Sequence, residues 1–356
     1  MPVDLGHLQL HMGPTALGAP DDLEVAILNF IDGAKLTLDI AVQELELETI
    51  AERLVRLSTA GIRIRVVVEG DYLIEDEALP EPFEAHGPKE ENRRLFAALH
   101  RAGVDARLDY NAKIFHQKFI VRDGKSVLTG STNFTPTGVI NNLNHLVIVN
   151  DRKVAREYSR EFKRVWSGEF GRRNFRAPKA PGEFLVDGVR VKVLFAPDHN
   201  PEMEIMKQML KARERIDFAI FTFSKSSGID DTMIARAEAG LSVRGLFDSG
   251  QGNQDWAASK GLAAAGAEIY LGKRGKGKKP GKLGKVHHKL MVIDGHTIIA
   301  GSFNYTRPAN TLNDENIIVI GDSTAKKTKV KKAQAKLCKH ARQDIVRMIG
   351  KHGVRI

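Results

Sequence analysis

The sequence predicts an α/β protein of two tandem domains, each a mixed sheet flanked by helices, with the domains related by a pseudo-two-fold. Three observations lead there. A polar set recurs at one constant offset, pairing His116 with His287, Lys118 with Lys289, Asp123 with Asp294, Ser131 with Ser302 and Asn133 with Asn304. Helical apolar periodicity alternates with β-branched runs in both halves, which argues for layered helices and sheets. The chain has 356 residues, 42% of them hydrophobic, enough for two domains that each bury a core.

The elements follow in order. Residues 23–31 place Val25, Ile27, Leu28 and Ile31 on one helical face, and 36–42 then read as a strand. The second half repeats this at 203–210 and 216–221. Helices near 48–57 and 232–239 each end at a glycine, Gly61 or Gly240, followed by β-branched alternation. Glycine past a helix is a stop signal, and the alternation starts a strand. Further helices stop at Gly103 and Gly266. The apolar runs 118–121 and 289–293 should lie inside sheets. Asp123-Gly124 and Asp294-Gly295 read as tight turns into strands at 126–129 and 297–300. The Pro/Gly-rich stretch 168–182 reads as a linker between domains at 1–167 and 183–356. Helices at 154–166 and near the C-terminus should each pack on the domain they follow. Motif spacing implies roughly 16 extra residues in copy one, between Gly70 and Leu95, and roughly eight before His287 in copy two. The first insertion is acidic (Asp71, Glu75, Asp76, Glu77, Glu81, Glu84, Glu90, Glu91) and the second, 273–285, is basic.

His and Lys two apart on a strand share one face, which suits a joint task. Two imidazoles can supply a nucleophile and a leaving-group acid for a phosphodiester, because imidazole titrates near neutrality. Lys118 and Lys289 can offset phosphoryl charge, and Ser131, Asn133, Ser302 and Asn304 can donate hydrogen bonds to it. Asp123 and Asp294, in turns at the far end of each motif strand, are expected to be structural.

The doubled HxKxxxxD pattern, each copy followed by GSxN, resembles the phospholipase D superfamily over both halves of the chain. That superfamily includes phospholipases D, phospholipid synthases, small bacterial endonucleases and tyrosyl-DNA phosphodiesterases, so membership speaks to chemistry more than to substrate. The resemblance implies a phosphohistidine mechanism with His116 as nucleophile and His287 as acid/base. The scheme requires no metal and no cofactor. The resemblance also implies that Glu315 orients an active-site histidine. The matching position in copy one is Asn144. Which histidine Glu315 touches is open from sequence. His288 should face away from His287 and pack, and His145 is a lesser site candidate beside Asn144. Adjacent strand residues point apart, which argues against a zinc site at His287-His288.

The formal charge of +10 and the basic loop before His287 favour an anionic partner, read first as nucleic acid. Aromatic residues at 6% argue against extensive base stacking. The expected function is therefore a nuclease or nucleic-acid phosphodiesterase. The alternatives are a phospholipase D or phosphatidyl transferase, with basic segments docking on acidic lipid, and a non-catalytic nucleic-acid-binding module. Cys338 is the only cysteine, and neither a secretory signal nor an apolar run of membrane-spanning length is visible. A cytoplasmic protein is expected, and one chain could hold the complete site.

Overall fold

The computed structural model describes residues 2–74, 87, 89–171, 180–275 and 279–356. In the first half, strands β1 (Val3–Asp4), β2 (Leu8–Gly13), β3 (Thr37–Val42), β4 (Arg63–Val68), β5 (Asp105–Leu108), β6 (Lys118–Arg122), β7 (Ser126–Gly130) and β8 (Asn142–Val149) form one sheet. Its order is β1-β2-β8-β7-β6-β3-β4-β5. The neighbours β3, β4 and β5 run parallel, and β6 joins them antiparallel. The second half uses β9 (Gly182–Val186), β10 (Val189–Ala196), β11 (Arg215–Ile220), β12 (Ser242–Asp248), β13 (Glu268–Gly272), β14 (Lys285–Val286), β15 (Lys289–Ile293), β16 (Thr297–Gly301), β17 (Glu315–Ile320) and β18 (Gly353–Arg355). Its order, β18-β13-β12-β11-β15-β16-β17-β10-β9, carries the same central topology. Strand β14 leaves this sheet and pairs in parallel with β8 of the first. Both sheets are mixed and flanked by helices, as the alternating pattern predicts.

Burial explains the layering. Helices Leu23–Asp32, Glu48–Thr59 and Glu90–Arg101 cover one face of the first sheet over a core that includes Ile27, Ile50, Leu54 and Leu99. Helices Pro201–Leu210 and Gly228–Glu238 do the same for the second over Ile205, Met209 and Met233. A third core lies between the halves and draws on both sheets, with Phe119, Val147, Phe195 and Ile318 among its members. Helix Arg152–Trp166 belongs to it. Asp151 caps that helix by accepting from the amides of Lys153 and Val154, and Val154, Tyr158, Phe162 and Val165 form its buried stripe. Each large apolar side chain buried here contributes about 1.5–3 kcal/mol, so the halves are held by a continuous core.

The C-terminal helix, Thr328–His352, buries Val330, Leu337, Cys338, Ala341, Ile345 and Met348. It packs on the second sheet, as anticipated, but also against β1 and β2 of the first. Arg347 and Lys351 donate to the Leu17 carbonyl at 2.9 and 3.0 Å. Its apolar stripe is therefore covered by protein. Among the described residues no helix is long and apolar enough to cross a membrane.

The insertions are only partly described. Glu75, Asp76, Glu77, Glu81 and Glu84 lie outside the described residues. Glu90 and Glu91 open a helix and pair with Arg93 and Arg94 one turn on. In the basic loop, Lys276 and Lys278 are outside the described residues, and Arg274 pairs with the buried Asp248. Residues 172–179 of the expected linker are also outside.

Candidate active site

Each motif strand lies between two hydrogen-bonded neighbours, β6 between β3 and β7 and β15 between β11 and β16. The strand ends at an aspartate in the left-handed region, Asp123 at φ 54° and Asp294 at φ 51°. The Asp123 carboxylate accepts from the amides of Lys35, Leu36 and Thr37. Asp294 accepts from those of Arg213, Glu214 and Arg215. These amides hold both carboxyls below their ordinary range against the opposing effect of burial. Each aspartate thus anchors its motif strand to the start of the neighbouring one, at the end remote from the histidine.

At the other end the halves exchange backbone. The His116 amide donates to the Asp314 carbonyl at 2.9 Å, and the Asp314 amide to the Ile114 carbonyl at 3.1 Å. Reciprocally, β14 pairs with Asn142-Leu143 and the His287 amide donates to the Leu143 carbonyl at 2.9 Å. This register brings the orienting side chain of one half to the histidine of the other. His116 Nδ1 lies 2.7 Å from Glu315 Oε2, and His287 Nδ1 lies 3.0 Å from Asn144 Oδ1. With Nδ1 engaged, Nε2 is the ring nitrogen left for chemistry in both cases.

The serines sit one layer back. Ser302 Oγ donates to Glu315 Oε2 at 2.6 Å and Ser131 Oγ to Asn144 Oδ1 at 2.8 Å, and both residues are fully buried. The expectation that these hydroxyls reach a phosphate is corrected: they hold the groups that hold the histidines. Below them the halves interlock again. Asn316 donates to Gln117 at 2.7 Å and accepts from Thr129 at 2.8 Å. His145 and His288 meet Nδ1 to Nδ1 at 3.1 Å, and His145 Nε2 accepts from the Gly301 amide. Burial drives His145 down to about 3 and His288 well below its ordinary value, so this is a neutral pair in the interface.

His116, His287, Asn133 and Asn304 line one cavity of about 550 Å³. Lys118 and Lys289 are almost fully buried beside it. Each ammonium donates to the carbonyl of its own motif histidine at 2.9 Å, and Lys118 also donates to Gln43 Oε1 at 3.0 Å. Lys289 has the Phe221 ring instead, 5.2 Å from its centroid. Burial, then the two lysines, keeps His116 and His287 well below their ordinary values. Burial pushes Glu315 up to about 8 against the pull of Lys118, and lowers Lys118 to about 8 against the pull of Glu315. Lys289 is lowered well below its usual range, first by burial and then by Lys118. Burial thus disfavours the charged form of each of these groups, and a phosphodiester anion beside them favours the charged lysines and a protonated imidazole.

Several lining residues escaped sequence reasoning: Gln43, Glu44, Tyr72 and Trp256. Glu44 could have been found by aligning the halves past the strand ends, where it matches Thr222. Asp314 was also missed. Its fully buried carboxylate takes Arg164 at 2.6 Å, the Gly171 amide at 2.9 Å and Asn111 at 2.9 Å.

Two pseudo-equivalent half-sites sharing one cavity, each completed by the other half, define a tandem-motif member of the phospholipase D superfamily. The family model described as "Cardiolipin synthase, PLD-like domain" matches residues 27–166 and again 205–344, and the chain belongs to that family. A mitochondrial cardiolipin hydrolase of Xenopus tropicalis is 31% identical over 133 residues, 37% of this chain and 56% of that protein. A phospholipase D of Rickettsia felis is 27% identical over 135 residues, 37% of this chain and 58% of that protein. The match thus spans little more than half of these curated relatives. The solved phosphatidylserine synthase of Haemophilus influenzae shares the fold across 100% of this chain and 88% of its own, with TM-score 0.67 and 13% identity.

Proposed function

We propose that the chain is a phosphodiesterase acting on phospholipid through a phosphohistidine, releasing or exchanging the headgroup alcohol. The observation that carries the reaction is the pair of imidazoles on one cavity, His116 backed by a carboxylate and His287 by an amide. Nε2 of His116 attacks phosphorus as the bond to the headgroup oxygen breaks, and the protonated Nε2 of His287 supplies the departing oxygen with its proton. The phosphatidyl group is then bonded to His116. His287, now neutral, takes a proton from water or a second alcohol, whose oxygen bonds phosphorus as the phosphorus–nitrogen bond breaks. Glu315 suits His116 to the covalent role, because a carboxylate stabilises the charge that the phosphorylated ring acquires better than an amide does. Lys118 and Lys289 offset phosphoryl charge, and Asn304 donates to an equatorial oxygen.

The nuclease reading, placed first from sequence, now stands second. The curated relatives carry lipid names. Among the described lining residues, Lys285 is the one lysine or arginine while Glu44 adds a carboxylate. That wall suits a single phosphodiester better than a run of phosphates. The test uses full-length wild type and His116→Ala with phosphatidylglycerol vesicles, phosphatidylcholine vesicles, single-stranded DNA, duplex DNA and RNA, all in chelator. Headgroup release that the variant loses is expected. Nucleic-acid cleavage lost in the variant, without lipid turnover, would overturn the lipid reading.

A further inference from the structure

The two motif asparagines occupy equivalent places yet present opposite chemistry. In the second half, Asn304 Oδ1 accepts from the Thr222 amide at 3.2 Å, so its amide N–H groups remain to donate. In the first half, Asn133 Nδ2 donates to Glu44 Oε1 at 2.5 Å, which fixes the amide the other way round. Asn133 Oδ1 is then a buried acceptor with no partner among the described residues, and Asn133 is only 8% exposed. The cause is the residue two past the strand end: Glu44 after β3, Thr222 after β11. The Tyr72 hydroxyl accepts from Gln43 Nε2 at 3.2 Å and hydrogen-bonds the Glu44 carboxylate. A carboxylate can accept about four hydrogen bonds, so capacity remains.

We propose that Glu44 and Asn133 Oδ1 form an acceptor-only subsite for a hydroxyl carried by the alcohol esterified to the reacting phosphate. The inference rests on the reaction proposed at this cavity. A phosphoryl oxygen only accepts, so it gains nothing from this pair. A quaternary ammonium has no N–H to offer. A primary ammonium could donate, but Lys118 and Lys285 are the cations that already act most strongly on Glu44, and a third positive charge there is opposed. An uncharged hydroxyl meets both demands. Both a glycerol headgroup and a ribose ring carry one beside the ester oxygen.

The experiment is calorimetric titration of the full chain with glycerol 1-phosphate, adenosine 3′-monophosphate, phosphoethanolamine and phosphocholine. These are not diesters, so binding is read without turnover. Wild type is expected to bind at least one hydroxyl-bearing ligand about tenfold more tightly than phosphocholine, the scale of a net hydrogen bond. Which of the two binds tighter identifies the source of the hydroxyl. Glu44→Thr, which installs the second half's residue, should erase the preference, and Glu44→Gln, closer in shape, should reduce it. Equal affinities in wild type, a preference for phosphoethanolamine, no binding of any ligand, or a preference that survives both variants would overturn the subsite. A glycerol preference lost in the variants, in a protein that turns over no lipid, would sink the lipid reading and leave the subsite standing.

Discussion

His116 in the first half and Glu315 in the second are 199 residues apart in sequence and 2.7 Å apart in space. The pair exists because Asp314, just ahead of β17, and the segment before β6 exchange backbone hydrogen bonds. Near neutrality this pair and Lys118 compete for protons. The nucleophilic state needs the Glu315 carboxylate ionised, with a proton on Nδ1 and a lone pair on Nε2. Glu315 sits near 8, as does Lys118, which must stay protonated. Activity should therefore rise as Glu315 loses its proton and fall as Lys118 does, giving a bell whose limbs belong to the coupled group. Glu315→Gln should lower kcat by about 10²–10⁴-fold. It should also move the alkaline limb to lower pH, since the carboxylate is what raises Lys118. A pH–rate profile checks both, and an unmoved alkaline limb would contradict the coupling.

Trapping separates the two histidines. With a p-nitrophenyl phosphodiester, whose leaving group needs no proton, His287→Ala should still be attacked but should fail to hydrolyse the intermediate. Stoichiometric, acid-labile phosphorylation of His116 is the expected mass-spectrometric result. Phosphorylation of His287 in the His116→Ala variant would reverse the assignment.

The motif aspartates should matter for stability and not for chemistry. Asn tolerates a left-handed backbone but lacks the charge that the three amides at each turn bind. Asp294→Asn should cost about 1.5–3 kcal/mol, the scale of a hydrogen bond to a charged group, with turnover per folded molecule kept. Because the folded pKa of Asp294 is lowered, its contribution is present above the ordinary carboxylate range and is lost as pH falls through the folded value. The variant should therefore show a flatter dependence of melting temperature on pH in acid. A large loss of turnover at an unchanged melting temperature would refute the structural role.

The clamp at Asp314 predicts an unequal pair of variants. Arg164→Met leaves a fully buried carboxylate without its cation and should cost about 3–5 kcal/mol. Asp314→Leu installs the residue found at the matching position, Leu143, and leaves Arg164 with Glu161 at 2.7 Å. It should cost less. Because the Asp314 carbonyl holds the His116 amide, Arg164→Met should also lose activity before it unfolds. Denaturation midpoints in the reverse order would reject this account.

The repeated spacing made much of this legible in advance. His, Lys and Asp recur at fixed intervals because strand geometry puts His and Lys on one face and Asp in the turn beyond. Helix stops at Gly61, Gly103, Gly240 and Gly266 were readable for a similar reason: each has a positive φ, which glycine adopts without strain. Such features depend on neighbours in sequence. The serines were misread because a hydroxyl after a motif strand can serve a phosphate or a buried partner, and spacing does not distinguish the two. Net charge pointed to nucleic acid, but charge summed over a chain says little about the wall of one cavity, where Glu44 stands.

By itself, then, the sequence determined the doubled α/β architecture, the family and the residue types that meet a phosphodiester, because local periodicity and a fixed repeat encode them. Only the tertiary structure decided that Glu315 serves His116 and Asn144 serves His287, that Ser131 and Ser302 stand behind those groups, and that Asn133 faces Glu44. The two histidine pairings cross between the halves through β14–β8 and Ile114–Asp314 contacts. Long-range register depends on packing over the whole interface, which no local pattern carries.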